Sequence, residues 1–327
     1  MPTVAISEIE TQSRKALEAA GAAPWIAAHV AHATAMSEAH GNVICGLYYL
    51  ESYCLQLRSG RVQGDVEPEV TRPRPGAVLC DAKLGFAQPA FARGLPTALD
   101  AARETGSCVF SVAHSHTCTS LGYFTEQIAR AGFIAIGATN ASAIVAPPGG
   151  NARVLGTNPM AFSVPAPEGG LALHFDSSTS ATALGAVTMA KAAGHPIPEG
   201  WAVDADGAPT TDPEAALAGS LMSAAGYKGF GFGLMAEVLA SVLTASAPST
   251  AVKGLKLADG VPHDLGQTYL ILDPSVFADG FSERMQALSD AVSAQEGARL
   301  PGSARAPMEA VDVPDALWET VQKLAAA

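Results

Sequence analysis

The sequence predicts a mixed α/β fold in which both chain ends contribute to a helical domain beside a larger α/β domain. Apolar residues recur at helical spacing in the first 60 residues and again over 285–324. Between about 77 and 280, short β-rich runs alternate with Ala-rich helical stretches. Because chain termini tend to lie close together, the two helical ends are expected to pack as one unit. The predicted division is therefore 1–76 with 281–327 for the helical domain, and 77–280 for the α/β domain.

The elements follow from local patterns. Residues 6–20 form a predicted helix that Ser7 and Glu10 begin as a capping box, Pro24 opens a second helix, and a third covers about 47–57. The proline-rich stretch 68–75 is interpreted as an extended linker. The predicted strands are 77–80, 108–113, 133–137, 171–175 and 269–272, and the predicted helices between them are 97–104, 121–131 and 233–244.

Composition narrows the class of protein. The chain of 327 residues is 48% hydrophobic and has a net charge of −12, so the basic surface that binds nucleic acid is not expected. Five cysteines without a CxxC pair argue against a disulfide framework. The first residues lack the apolar segment of a secretory signal, and no apolar run reaches the roughly 20 residues that span a bilayer. A cytoplasmic protein with a small-molecule substrate, and with neither nucleic acid nor membrane as partner, is expected.

Three polar segments are candidates for binding a dinucleotide, although no GxGxxG or P-loop is present. Lys228-Gly229 precedes an apolar helix, where it binds phosphate or merely forms a turn. The turn 157–159 offers an amide and a hydroxyl to a carboxamide, and the hydroxyl-rich segment 176–180 binds phosphate or ribose or simply caps a helix. From the residues alone, these alternatives stay open.

The segment 112–118 carries the most reactive side chains. If it is extended, His114, His116 and Cys118 point to one face. That face suits a metal such as zinc, a histidine that acts as general acid or base, or histidines with a structural role.

Several stretches together resemble the type 2 malate/lactate dehydrogenases, in particular the branch of sulfolactate dehydrogenases and cyclic imino acid reductases. They are 85–90, 115–118, 155–162, 175–185, 194–221, 226–243 and 298–305, in the family's order, and 196–218 is the most specific. The resemblance implies a non-Rossmann domain that binds NAD or NADP, beside a helical domain formed by both termini. It also implies a homodimer with the active site at its interface, and no metal.

The resemblance also assigns roles to residues. Thr117, with His116 as a shifted substitute, stands on the turn where the family has a histidine, and His114 lies beside it on the substrate side. Asp176 is a candidate both for catalysis and for cofactor binding. The residues that match the family's cofactor elements are Thr157, Asn158, Pro159, Asp176, Ser178, Ser180, Lys228, Gly229, Pro301 and Gly302.

The chain departs from the family's SHGxxR motif, in which a Ser-His pair donates a proton and an Arg binds the substrate carboxylate. Ile44, Cys45 and Tyr49 occupy those positions. His40 is a poor substitute if the segment is helical, because five residues rotate by about 500°. Tyr49 and Tyr53 are then expected to line a more aromatic substrate pocket.

A thiol protonates a nascent alkoxide less well than imidazole does, whereas a cyclic imine arrives already protonated as an iminium. The sequence therefore favours an NAD(P)H-dependent reductase of an imine or of an atypical 2-oxo acid. Two alternatives remain: a lyase or isomerase that uses Cys45 or His116 as acid and base, and a catalytically silent binding protein.

Overall fold

The mixed α/β class is confirmed by a computed structural model of the chain. The structure describes residues 1–277, 279–302 and 306–327, apart from the side chain of Glu168. The last three residues of the resembling stretch 298–305 therefore lie outside the described residues. No helix in the described ranges is both long enough and apolar enough to cross a membrane.

A seven-stranded sheet forms the centre of the molecule. In spatial order its strands are β2 (Glu69–Arg74), β3 (Ala77–Asp81), β4 (Ser107–Ser115), β11 (Leu265–Leu272), β5 (Ile134–Thr139), β6 (Met160–Pro165) and β7 (Leu171–Ser177). Every neighbouring pair is antiparallel except β3 with β4, so the sheet differs from the parallel sheet of a Rossmann domain.

The stretch 68–75 proves to be strand β2 rather than a linker, so that expectation was wrong. It lies at one edge of the sheet, and Pro73 is tolerated there because an edge strand need not donate on both sides. It also shows that the main sheet begins before residue 76.

Two helices cover one face of the sheet and bury its aromatic core. They are α4 (Ala87–Thr105) and α5 (Gly122–Arg130), which pack on β3, β4, β5 and β6. The core rings of Phe91, Phe110, Phe124 and Tyr269 are each at most 1% exposed and contact one another edge-on or tilted.

The two chain ends share a second core. Strand β1 (Thr3–Ala5) pairs with β12 (Ala310–Asp312), and α10 (Asp315–Ala325) packs on α1 (Ile6–Ala19). Helices α2 (Pro24–Ala39) and α3 (Leu50–Ser59) complete this core. The predicted capping box is wrong, because the N-cap is Ala5 and Ser7 already lies inside α1.

The helix α9 (Phe281–Ser293), in contrast, contacts strand β7 of the sheet. The division at residues 76 and 281 stays a prediction. A small sheet of β8 (Ala202–Val203), β9 (Pro209–Thr210) and β10 (Ser220–Leu221) packs with α6 (Leu184–Ala193) and α7 (Pro213–Ala218). Helix α8 (Tyr227–Glu237) then continues as a π-helical turn over Val238–Val242.

Candidate active site

The turn that carries Cys45 is fixed by a buried carboxyl group. Between α2 and α3 the chain forms two 3-10 turns, Val43–Cys45 and Leu47–Tyr49, joined by Gly46. Glu38, only 4% exposed, accepts a hydrogen bond from the Leu47 N–H at 2.7 Å. A Cβ on Gly46 would lie 2.6 Å from the Glu38 carboxyl carbon, so only glycine lets the turn pass this close.

Cys45 lies beside Asp176 and Cys118. Burial, reinforced by the nearby Asp176 carboxylate, raises the pKa of the Cys45 thiol to about 12, although a hydrogen bond with Asn42 opposes the rise. Burial, Asp176 and Cys45 together raise the pKa of Cys118 as well. Both groups are therefore neutral thiols at physiological pH, which makes Cys45 a poor proton donor and a poor nucleophile.

Asp176 is held at the carboxyl end of β7. It accepts hydrogen bonds from the Gly122 N–H at 2.7 Å and the Ser120 hydroxyl at 3.4 Å, where α5 begins. Solvent reaches the carboxylate from one side, but the protein surrounding it raises its pKa, a rise that the Gly122 hydrogen bond and His174 oppose. A Cβ on Gly122 would lie 3.0 Å from the Cβ of Asp176, so the glycine permits this approach.

Three tyrosines form a wall next to Cys45. The rings of Tyr49 and Tyr53 stack at 6.0 Å, and Tyr48 meets Tyr49 edge-on at 5.6 Å. Burial, the Cys45 thiol and Tyr48 raise the pKa of Tyr49 to about 12, so its phenol stays protonated. Tyr53 is 1% exposed and packs against Phe86, which makes it the back of this wall rather than a ligand-facing group.

A cavity of about 340 Å³ opens in front of Asp176. Ser120, Pro301 and Gly302 also line it, so the structure brings the C-terminal Pro-Gly turn to the Asp176 segment. Pro301 accepts a hydrogen bond from the His174 N–H at 3.0 Å. The cavity therefore contains residues that the sequence assigned separately to catalysis and to cofactor binding.

Several cationic or titratable residues of this cavity were missed or set aside in the sequence analysis, among them His40, His174 and Arg299. The rejection of His40 assumed a continuous helix, but the chain after His40 forms 3-10 turns, so the argument from helical phase does not hold. His174 lies two residues before Asp176 on β7, a spacing that places both side chains on one face. Its Nδ1 lies 2.8 Å from the Ser163 hydroxyl, and burial lowers its pKa.

The backbone of the segment 176–180 connects the turn 157–159 to the residues just before Lys228. The Thr179 N–H donates to the Thr157 carbonyl at 2.9 Å, and the Ala224 N–H donates to the Thr179 carbonyl at 2.9 Å. Ser180 forms a backbone bridge with Ser223, just before the exposed Lys228 in the first turn of α8. A side chain at Gly229 would overlap the Ala224 carbonyl, which explains the glycine there.

Asn158 does not offer its amide to a ligand as expected. It is fully buried, with φ of 34°, and its Nδ2 donates to Glu237 at 2.7 Å and to the Gly233 carbonyl at 3.2 Å. Its Oδ1 accepts from the Ala141 N–H at 3.2 Å. The amide therefore fixes the turn against α8, and the half-buried Thr157 and Pro159 remain on the accessible side.

The side chains of the segment 112–118 diverge instead of sharing one face. His114 adopts a φ of 51°, which breaks the strand alternation, and its Nδ1 lies 2.7 Å from Asp264. Cys118 is close enough to Asp176 for the carboxylate to raise the pKa of its thiol, and Thr117 is 6% exposed. Within the described ranges, no group of three or more potential metal ligands occurs.

His116 lies inside the protein. Its Nε2 is 2.6 Å from the Gln56 side chain, and its ring stacks on His263 at 4.1 Å between centroids. Burial, His263 and Arg61 hold its pKa well below the ordinary value, so it stays neutral. It does not line the cavity at Asp176, and this placement argues against the predicted catalytic role.

The chain is similar in sequence and in fold to known dehydrogenases and reductases. A sequence profile of the malate/L-lactate dehydrogenase family matches residues 4–322. The chain is 38% identical to a (2R)-3-sulfolactate dehydrogenase (NADP(+)) of Chromohalobacter salexigens, over 98% of each chain. It is 35% identical to a Delta(1)-pyrroline-2-carboxylate reductase of Ancylobacter novellus, over 98% of this chain and 97% of that one. The crystal structure of a delta1-piperideine-2-carboxylate reductase from Pseudomonas syringae superposes with a TM-score of 0.91 at 31% identity, covering 99% of this chain and all (100%) of that chain.

Proposed function

Because the chain belongs to the malate/L-lactate dehydrogenase family, we propose that it is an NADP- or NAD-dependent reductase of a cyclic imino acid. Its membership confirms the resemblance found in the motifs and makes the protein an oxidoreductase. The relatives of similar fold and length are named as a sulfolactate dehydrogenase and as reductases of pyrroline- and piperideine-carboxylates, so this chain's own residues decide between the two substrate classes.

The residues along α8 fit a dinucleotide. An exposed ammonium in the first turn of a helix, next to a glycine and a hydroxyl-rich segment, supplies the charge and the N–H donors that phosphate requires. Lys228 would hold a phosphate, while Thr157, Ser178 and the Pro301-Gly302 turn would position the rest of the cofactor. When bound, the reduced dinucleotide supplies the hydride that converts the C=N carbon to an amine carbon.

The observation that carries the imine proposal is that a thiol, Cys45, stands in the turn Val43–Cys45 where the resemblance gives a histidine, within electrostatic range of Asp176. Reduction of a ketone leaves an alkoxide that needs a proton, and a thiol with a pKa of about 12 donates one poorly. An iminium brings its own proton and carries positive charge until it is reduced. The Asp176 carboxylate would pair with that cation, whereas it does not help a neutral ketone.

An atypical 2-oxo acid is the second candidate, because His40 lines the same cavity as Asp176 and can supply a proton. A lyase or isomerase has less support. Both groups named for it, Cys45 and His116, are held neutral by burial, and His116 points away from the cavity.

Nucleotide binding tests the redox proposal directly. Calorimetry is expected to detect NADPH or NADH at micromolar to millimolar concentration. Lys228→Gln should weaken binding about tenfold, the loss expected for one charge-assisted phosphate contact. Lys323→Gln, on the exposed end of α10, serves as the matched control. A folded protein that binds neither nucleotide at millimolar concentration would exclude the reductase.

We also propose a homodimer, supported by a large apolar surface on α8 and the π-helical turn. Five of its side chains are about half exposed or more: Phe232, Met235, Val238, Val242 and Leu243. Light scattering should give twice the monomer mass of 33.2 kDa. Val242→Glu together with Leu243→Glu should yield a monomer, and Leu288→Glu on α9 should not. A wild-type mass near 33.2 kDa would contradict the proposal.

A further inference from the structure

The segment 254–261 lies across the end of α3 as a strap held by buried side chains. Arg61, 1% exposed, donates to the carbonyls of Gly254 at 3.0 Å, Leu257 at 2.6 Å and Val261 at 2.9 Å. Ser59 donates to the carbonyl of Ala258 at 2.6 Å. Because the buried guanidinium donates to three backbone carbonyls, it fixes the path of this segment, which has no regular secondary structure.

Lys256 stands at the middle of this strap. Gln56 Nε2 donates to the carbonyls on both sides of it, to Leu255 at 2.8 Å and to Leu257 at 2.6 Å. Both neighbouring peptide groups are therefore tied down to α3, and Lys256 itself is exposed. Its ammonium lies 3.2 Å from the ring centroid of Tyr48 and 5.4 Å from that of Tyr49.

The charges around Lys256 leave its ammonium available for an anion. Within the ranges that the structure describes, Lys256 forms no salt bridge with a carboxylate. Aromatic faces attract a cation but do not neutralise it. A small anion that enters along Tyr49 would therefore meet a positive charge held in place by the strap.

We propose that Lys256 binds the substrate's carboxylate, a role that the resemblance gives to an arginine at the position of Tyr49. This inference rests on the proposed function, because it assigns protein residues to the iminium and to the carboxylate of one zwitterionic substrate. The iminium nitrogen is assigned to the Asp176 side, and the carboxylate on the adjacent ring carbon to Lys256, whose ammonium lies against Tyr48 and Tyr49. The cation that binds the carboxylate would then come from the strap instead of the turn after α2.

The test compares rings with and without a carboxylate. Lys256→Gln should raise the KM for Delta(1)-pyrroline-2-carboxylate about 10- to 100-fold, as expected for loss of one charge-assisted contact, with kcat changed much less. The KM for Delta(1)-pyrroline, the same ring without a carboxylate, should stay within twofold. Lys256→Arg should restore most of the affinity, and Lys253→Gln, just before the strap, is the matched control.

Binding of pyrrole-2-carboxylate, a planar analogue that cannot be reduced, gives a readout independent of turnover. Calorimetry should show the same 10- to 100-fold weakening in Lys256→Gln and none in Lys253→Gln. If the wild type turns over neither ring, the proposed function fails, and this calorimetry still decides the role of Lys256. The inference is overturned if Lys256→Gln binds the analogue as the wild type does, or if both rings lose activity equally.

Discussion

Replacing Asp176 by asparagine is expected to lower kcat/KM for a cyclic imine by about 10²- to 10³-fold, mainly by raising KM, because the carboxylate is the partner of the iminium cation that enters the site. The asparagine keeps the size of the side chain and can still accept from the Gly122 N–H. What the variant loses is the negative charge beside Cys45 that stabilises the iminium. Asp290→Asn, on the exposed face of α9, controls for the loss of any one carboxylate.

The pH profile separates this role from a structural one. Because burial raises the pKa of Asp176 above its ordinary value of 3.8, activity should fall with decreasing pH earlier than an exposed carboxyl would allow. The carboxylate is the active form, so the loss lies on the acid side of that raised pKa. Asp176→Asn should remove this acid limb. An unchanged acid limb in the variant would mean that another group controls it.

Restoring the family's residues with Ile44→Ser, Cys45→His and Tyr49→Arg is expected to raise kcat/KM for small 2-oxo acids. The restored acid, together with an arginine as a second cation for the carboxylate, makes about 2–5 kcal/mol available, or about 30- to 5,000-fold. A histidine at position 45 would lie beside the Asp176 carboxylate, which would orient it and keep it basic enough to donate and accept a proton near neutral pH. Replacing Ile44 also removes a methyl group that approaches Gly185 at the start of α6.

A second triple variant, with Cys45→Gln in place of Cys45→His, is the matched control. Glutamine forms hydrogen bonds at that position but has no titratable proton, so it should gain the carboxylate clamp without the acid. Equal gains in both variants would show that proton donation is not what the native chain lacks. Initial rates of NADPH oxidation with pyruvate measure the difference.

Local signals identified many elements because those elements depend on nearby residues. Helix α5 and strand β4 lie within two residues of the predicted 121–131 and 108–113. Strand β6 was missed, because Asn158-Pro159 marks a turn and the strand begins at the very next residue. The position of β11 between β4 and β5 could not be predicted, since strand order is set by contacts across more than 100 residues.

The candidate site, too, could be predicted from the sequence only in part. The substitution at Cys45 is visible in the sequence once the motif is aligned, and the pairing of His174 with Asp176 follows from strand alternation. The raised pKa of Cys45 is not visible, because it depends on burial and on Asp176, which lies 131 positions further along the chain. Lys256 reaches Tyr49 only because buried Arg61 and Gln56 hold the strap, and no local pattern encodes that contact.

The central claim is that this site reduces a cation that arrives with its own proton. The most direct test is to measure initial rates of NADPH oxidation by the wild-type protein, at one pH, with Delta(1)-pyrroline-2-carboxylate and with pyruvate. A higher kcat/KM is expected for the imine, because Cys45 cannot protonate an alkoxide efficiently. A higher kcat/KM for the 2-oxo acid would contradict it, and would point to His40 in the Asp176 cavity as the proton donor.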